Sequence, residues 1–184
     1  MGSVFDEALI RMLHSGCALL VGGADSTGRP HASRGYGLTV MDGEPVRVRL
    51  LVDADDATTL DNLQPNAPVA ITAASVPNLS SVQLKGRVVQ LQPVNEVDEA
   101  KRVQYSSDLT NDIHRTDGDQ LAVIRPWSER SVVACIVEVE ATFDQTPGPS
   151  AGAPLSAEPA CDDRVHHAAL RRCFDGRVPA VIAR

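Results

Sequence analysis

The stretch Val46-Arg47-Val48-Arg49-Leu50-Leu51-Val52 alternates at a period of two. Val46, Val48, Leu50 and Val52 fall on one face, and Arg47, Arg49 and Leu51 on the other. Successive side chains of a strand point to opposite faces, so this stretch reads as a half-buried β-strand whose outer face carries two arginines. Asp42-Gly43, just before it, is a tight-turn pair of the kind that joins antiparallel strands, and His31 to Met41 supplies the partner strand. Asp25-Ser26-Thr27-Gly28-Arg29-Pro30 forms a second turn cluster, with a buried strand from Cys17 to Gly23 on its far side. Working outward from one stretch therefore yields three antiparallel strands.

Further along, Val69 to Ala74 reads as a strand, and Val82, Leu84, Gly86 and Val88 alternate with Gln83, Lys85 and Arg87 in another. A last strand is expected from Val132 to Phe143, with Val133, Cys135, Val137, Val139, Ala141 and Phe143 on one face. Helices are expected over Phe5 to His14, ended by Gly16, and over Asp56 to Leu63. A third is expected over Asn95 to Ser106, where Asn95 is the N-cap and Glu96, Asp98 and Glu99 suit the positive end of the helix dipole. Strands spaced by tight turns, with helices inserted rather than alternating, predict a mostly β fold with antiparallel strands in a barrel. Residues 1–145 form that domain. A Pro/Gly/Ala-rich linker over 146–160 and a C-terminal helix with a strand-like tail over 161–184 complete the expected organisation.

At 184 residues, the chain has room for one domain and an extension. Its 17 basic and 24 acidic residues give a net charge of −7, which disfavours a broad phosphate-backbone footprint and so argues against nucleic acid as partner. The longest apolar run, Cys17 to Val21, is far short of the ~20 residues of a membrane span. With no signal-peptide pattern at the start, a cytoplasmic location is expected. Cys17, Cys135, Cys161 and Cys173 form no CxxC pair, which excludes zinc-ribbon and thioredoxin chemistry on spacing. No Gly-x-Ser-x-Gly elbow is present, and Val21-Gly22-Gly23-Ala24 leads into a turn rather than a phosphate-binding helix. Asp53, Asp55 and Asp56 lack the turn glycine and closing glutamate of a calcium loop.

Basic residues cluster on strand faces: Arg47 and Arg49 on one strand, Gln83, Lys85 and Arg87 on another. Were those strands neighbours, they would form a basic shelf able to hold a phosphate; otherwise they line a solvated outer face.

The order of the pieces DSTGRPHASRGYG, VRVRLLV, TLDNLQPNAPVAI and SVQLKGRVV, behind a helix and an apolar strand, resembles the pyridoxamine 5'-phosphate oxidase-like split barrels over roughly residues 5–145. That resemblance implies a split β-barrel, a homodimer, and flavin mononucleotide (FMN) in a groove between subunits. Carried over by position, Ser33, Arg34 and Gly35 would line the flavin, and Leu50 to Asp53, with Leu51 among them, would run beside its ring. Gln83 and Lys85 would offer polar contacts, and Trp127 would close the site from the other subunit. The implied activity is that of an FMN-dependent oxidoreductase. One segment departs from the family: where Ser-Arg/Lys-Lys usually grips the phosphate, this chain has Asp55-Asp56-Ala57-Thr58-Thr59. Carboxylates there repel a phosphate by roughly 1 kcal/mol or more per contact. The phosphate then falls to Arg34, Arg49 or Lys85. Alternatives on the same barrel are a deazaflavin, a haem ligated by His114, His166 or His167, and a cofactor-free binding or regulatory domain.

Overall fold

The period-two pattern of Val46–Val52 becomes the inner and outer walls of a barrel. In a computed structural model, which describes residues 5–118 and 130–155, the elements run α1 (Glu7–Leu13), β1 (Ala18–Ala24), β2 (Pro30–Met41), β3 (Arg47–Asp53), α2 (Ala57–Asn62), β4 (Pro68–Ala74), β5 (Ser81–Gln92), α3 (Glu96–Asp117) and β6 (Val132–Asp144). The six strands close into a barrel in the order β1-β2-β3-β6-β5-β4, every pairing antiparallel. The expected mostly β, antiparallel barrel with flanking helices is the observed fold.

Its interior is aliphatic. Val48, Leu50 and Val52 of β3 are wholly buried and pair with Val137, Cys135 and Val133 of β6, so both strands feed one core. Leu19 and Val21 of β1, Val69 and Ile71 of β4, and Val82, Leu84 and Val88 of β5 complete it. Burial of this kind contributes roughly 25 cal/mol per Å² of apolar surface, and it is the main term holding the barrel together. Helix α1 is capped by Asp6, whose carboxylate accepts from Leu9 N–H, and it buries Leu13. Gly16 lets the α1–β1 link press against α3: a Cβ there would lie 2.1 Å from Leu109 N.

Four expectations are corrected by the fold. First, β6 does not keep one face through Phe143. The β5–β6 register slips between Lys85 and Gly86, so Thr142, opposite Leu84, is buried, while Phe143 lies opposite Gln83 on the outer side. The slip is a bulge, which inverts the inside–outside pattern beyond it. Gly86 sits at this close approach, where a Cβ would come within 1.9 Å of the Glu138 carbonyl oxygen. Second, β3 and β5 are not neighbours, because β6 lies between them. Third, α1 begins at Glu7, behind its N-cap Asp6, and not at Phe5. Fourth, α3 runs on past Ser106 to Asp117. Its N-terminus does follow the expected pattern: Asn95 and Asp98 form a reciprocal capping box.

After β6, the Pro/Gly-rich segment folds back on the barrel instead of leaving it. Gly152 N–H donates to Asp144 O, Leu155 N–H donates to Thr142 O, and Pro154 bridges Phe143. The C-terminal helix expected over Asp162 to Phe174 lies outside the described residues.

Candidate functional site

Alternation on β2 and β3 decides which of the predicted ligand residues face outward. Gly35 points inward, since a Cβ there would meet Leu19 and Leu50 of the core, and Ser33 shares its side of the strand. Leu50 is likewise wholly buried in the core. Arg34, Leu51 and Asp53 are therefore the members of these two groups that face the outer wall. Leu51 is covered there by Tyr36, Val132, Ala134 and Val94.

Arg49 also faces outward but is fully engaged. Its Nε donates to Asp98 Oδ1 at 2.7 Å and its Nη2 to Asp98 Oδ2 at 2.6 Å, a two-point clamp. Gln92 Oε1 and the Pro93 carbonyl accept further bonds from the same guanidinium. The Arg49 hydrogen bonds hold the Asp98 carboxyl below the usual carboxylate range. Arg49 thus pins the start of α3 to the barrel wall. Arg47 is similarly paired with Glu138, and Arg87 with Glu140.

Gln83 and Lys85 lie on the outer face of β5, three strands from β2 whichever way the barrel is followed. Gln83 donates to Thr72 Oγ1, and the Lys85 ammonium sits 4.6 Å over the Phe143 ring. No basic shelf joins β3 to β5. Arg34 and Lys85 therefore stand on opposite sides of the barrel. Trp127, His166 and His167 lie outside the described residues. His114 is in the last turn of α3.

The Asp53–Thr59 segment is engaged within the fold. Asp53 pairs with Arg130 at 3.2 Å and accepts from Asp55 N–H. Asp56 is the N-cap of α2, accepting from Thr59 N–H and from the Thr59 hydroxyl. These bonds, led by that from the Thr59 hydroxyl, hold the Asp56 carboxyl below its ordinary range. Asp56 thus serves the end of α2 and Asp53 ties Arg130, and the carboxylates of this segment do not fit a phosphate.

A different wall does offer donors. Between β2 and α3 a narrow cleft is lined by Arg34, Gly35, Tyr36, Arg102, Tyr105, Ser106 and Leu109. The Tyr105 hydroxyl donates to the Gly35 carbonyl at 3.3 Å. Burial raises the pKa values of both Tyr36 and Tyr105, so both phenols stay protonated at neutral pH. Arg102 Nε donates to Glu99 one turn back. Arg102, Tyr105 and Ser106 were not legible as site residues, because the sequence shows them only as part of a polar helix. The one available signal is that Tyr105 is among just six aromatic residues in the chain. The cleft has a volume of about 10 Å³, room for about one water, so its arginines, phenols and serine meet as a packed seam between β2 and α3 that a ligand would touch only at its mouth.

The remaining reactive side chains are poor candidates. Cys17 and Cys135 are buried, and burial pushes each thiol up to about 12, so neither is a thiolate nucleophile at neutral pH. Among the described residues no group of His, Cys, Asp and Glu could hold a metal ion, and no helix is long and apolar enough to cross a membrane.

No protein-family model matches the sequence, and no curated protein matches it. Similar solved structures include HupZ of Group A Streptococcus, at 16% identity over 80% of this chain and 99% of that one, with a TM-score of 0.49. They also include a candidate pyridoxamine 5'-phosphate oxidase from Lactobacillus delbrueckii, at 14% identity over 78% and 97% of the two chains, with a TM-score of 0.47. The heme storage protein HutZ from Vibrio cholerae is similar at 14% identity over 75% and 93%, with a TM-score of 0.40.

Proposed function

We propose that this chain binds a flavin-type cofactor, FMN, on the outer wall of its barrel, with the site completed by a second copy of the chain. The observation that carries this reading is the cleft in which Arg34, Tyr36, Arg102, Tyr105 and Ser106 meet. The space inside it admits about one water, so the anionic end of the cofactor rests at its mouth against the arginines, where charge-assisted bonds to phosphate are the strong ones. Arg34 takes the role that the Asp55–Thr59 segment cannot, and Leu51 and Tyr36 line the wall beside it. Gln83 and Lys85 reach the same ligand only from the partner subunit, so the cofactor and the dimer stand or fall together. When bound, a flavin supplies one- and two-electron chemistry, and the chain's own residues bind and orient it. Tyr36 and Tyr105, held protonated, act as hydrogen-bond donors and not as bases.

One observation favours a second reading. Asp53 and Asp56 are taken up by Arg130, Asp55 N–H and Thr59, and the segment carries no basic side chain, which suits a barrel without a phosphate site there.

A visible absorption spectrum of freshly purified protein, followed by titration with FMN, separates the readings. Flavin bands, or saturable binding that weakens about tenfold in Arg34→Ala, support the first; one charge-assisted bond of ~1.5 kcal/mol corresponds to that factor. A Soret band, preference for a deazaflavin, or no affinity for any of these ligands overturns it.

A further inference from the structure

Strand β2 is longer than its partner on one flank. It pairs with β1 only from Pro30 to Arg34, whereas its pairing with β3 runs on from Gly35 to Met41. The stretch from Gly35 to Met41 therefore has one edge that β1 does not cover, and α1 and α3 pack against β2 instead. Backbone groups on such an edge need partners from elsewhere. Two side chains supply them. The Tyr105 hydroxyl of α3 donates to the Gly35 carbonyl, and His14, the C-cap of α1, accepts from Val40 N–H through Nε2 at 2.9 Å.

The two ties differ in chemistry. The Tyr105 phenol is a donor and stays protonated at neutral and acid pH alike. An imidazole nitrogen accepts only while it carries no proton, so His14 makes its bond as the neutral ring with the hydrogen on Nδ1. A proton on Nε2 turns that acceptor into a donor, and two N–H groups then face each other across the same 2.9 Å. The charges around the ring do not soften this. From α3, Lys101 acts on it and repels a proton. On α1, Arg11 is paired with Glu7 one turn back. The α1–β1 link brings Cys17, a neutral thiol, and the neighbours of Val40 on β2 are Thr39 and Met41, neither of them ionisable. Among the described residues no carboxylate acts on the ring to favour its charged form. Burial, with the Lys101 charge behind it, holds the imidazole below the ordinary histidine range.

We propose that His14 is an acid-released latch on the uncovered edge of β2: once protonated it lets go of Val40 N–H and opens that edge toward the Asp42-Gly43 turn, while the barrel stays closed. Leu13, wholly buried beside it, and Gly16, wedged against Leu109, keep α1 and its link seated, so the opening is confined to the strand edge. The direction follows from the depressed folded-state value. The contribution of the latch is complete above the ordinary histidine pKa and is lost as pH falls through the lower, folded one. What acid uncovers is a run of strand with unpaired backbone groups, the kind of edge on which a further strand pairs. The latch goes beyond the flavin reading and does not rest on it.

The test is amide hydrogen exchange by NMR on the full chain, from about pH 8 to about pH 4.5, with the His14 ring signals followed over the same range. The protection factor of the Val40 amide, corrected for the intrinsic exchange rate, is expected to fall at least tenfold with the midpoint of the His14 titration. That of Val48, wholly buried where β3 pairs with β6, holds. His14→Ala leaves the Val40 amide weakly protected at both ends of the range, and His14→Gln, whose side-chain carbonyl accepts without titrating, removes the pH dependence. A Val40 amide equally protected throughout, a ring that stays neutral down to the acid limit, a fall that persists in either variant, or loss of protection at Val48 in step with Val40 would each overturn the proposal.

Discussion

Replacing Arg49 by alanine decides whether this arginine is a ligand for a cofactor or a tie within the fold. Its side chain is 15% exposed and that of its partner Asp98 is 8% exposed, so the pair is largely withdrawn from water. Truncating one partner of such a pair leaves the other buried and uncompensated, at a cost of about 3 kcal/mol or more. The capping box of α3 shares Asp98 Oδ2 with Arg49, so the start of the helix loosens as well. For a domain of this size each kcal/mol is worth roughly 2–4 °C in Tm, which gives an expected fall of about 6–12 °C. The pair also fixes a pH dependence. The Asp98 carboxyl is depressed in the folded state, chiefly by the Arg49 hydrogen bonds. Its contribution is therefore present above the unfolded carboxylate pKa and is lost as pH falls through the lower, folded value. In Arg49→Ala, stability should decline less steeply below about pH 4 than in the parent. Thermal unfolding by circular dichroism at neutral and acid pH reads both effects. A Tm within a degree or two of the parent, together with a tenfold loss of FMN affinity, would refute the structural assignment and return Arg49 to the cofactor.

Gly86→Ala places a methyl group against the Glu138 carbonyl, and overpacking against backbone should cost at least about 2 kcal/mol, read as a lower urea midpoint. A variant as stable as the parent would mean that β5 and β6 do not approach as closely as described. Asp56→Ala removes the cap of α2 and should cost about 1 kcal/mol without reducing FMN affinity. Loss of binding with stability intact would show that the aspartate serves a ligand instead.

The outline of the barrel was legible because alternation and turn dipeptides are local signals, and Val46–Val52 carries both. What escaped is non-local. Nothing in SVQLKGRVV or in VRVRLLV says that β6, some eighty residues further on, will separate them, so the basic shelf was a conditional reading that the pairing overturned. The face of β6 was misassigned past Val139, because a bulge leaves the alternation of residue types intact while inverting its direction. Ser106-Ser107-Asp108 looked like the end of a helix, yet α3 runs through it, its inner face held by Tyr105 and Leu109 against the barrel. The site was half legible. Of the three neighbours that the resemblance set along the flavin, alternation turns Arg34 outward and Ser33 and Gly35 inward. Arg49 carried the same signal, an outward arginine on a strand, and only its pairing with Asp98 tells the two apart. The clue was Asn95-Glu96-Val97-Asp98, a capping box whose carboxylate has lone pairs left for a cation.

The position of β6 between β3 and β5 has a consequence for how the chain is made. Five strands leave the ribosome before the one that joins them, and until residue 144 has emerged the sheet is an open ribbon, β3-β2-β1-β4-β5. Both of its rims then carry unpaired backbone groups, and they are the two strands with the most charge on their outer faces: Arg47, Arg49 and Asp53 on one, Lys85 and Arg87 on the other. Charge on a bare rim deters association with a neighbouring nascent chain. In the finished barrel the same outward arginines tie the two rims to Glu138, Asp98 and Glu140.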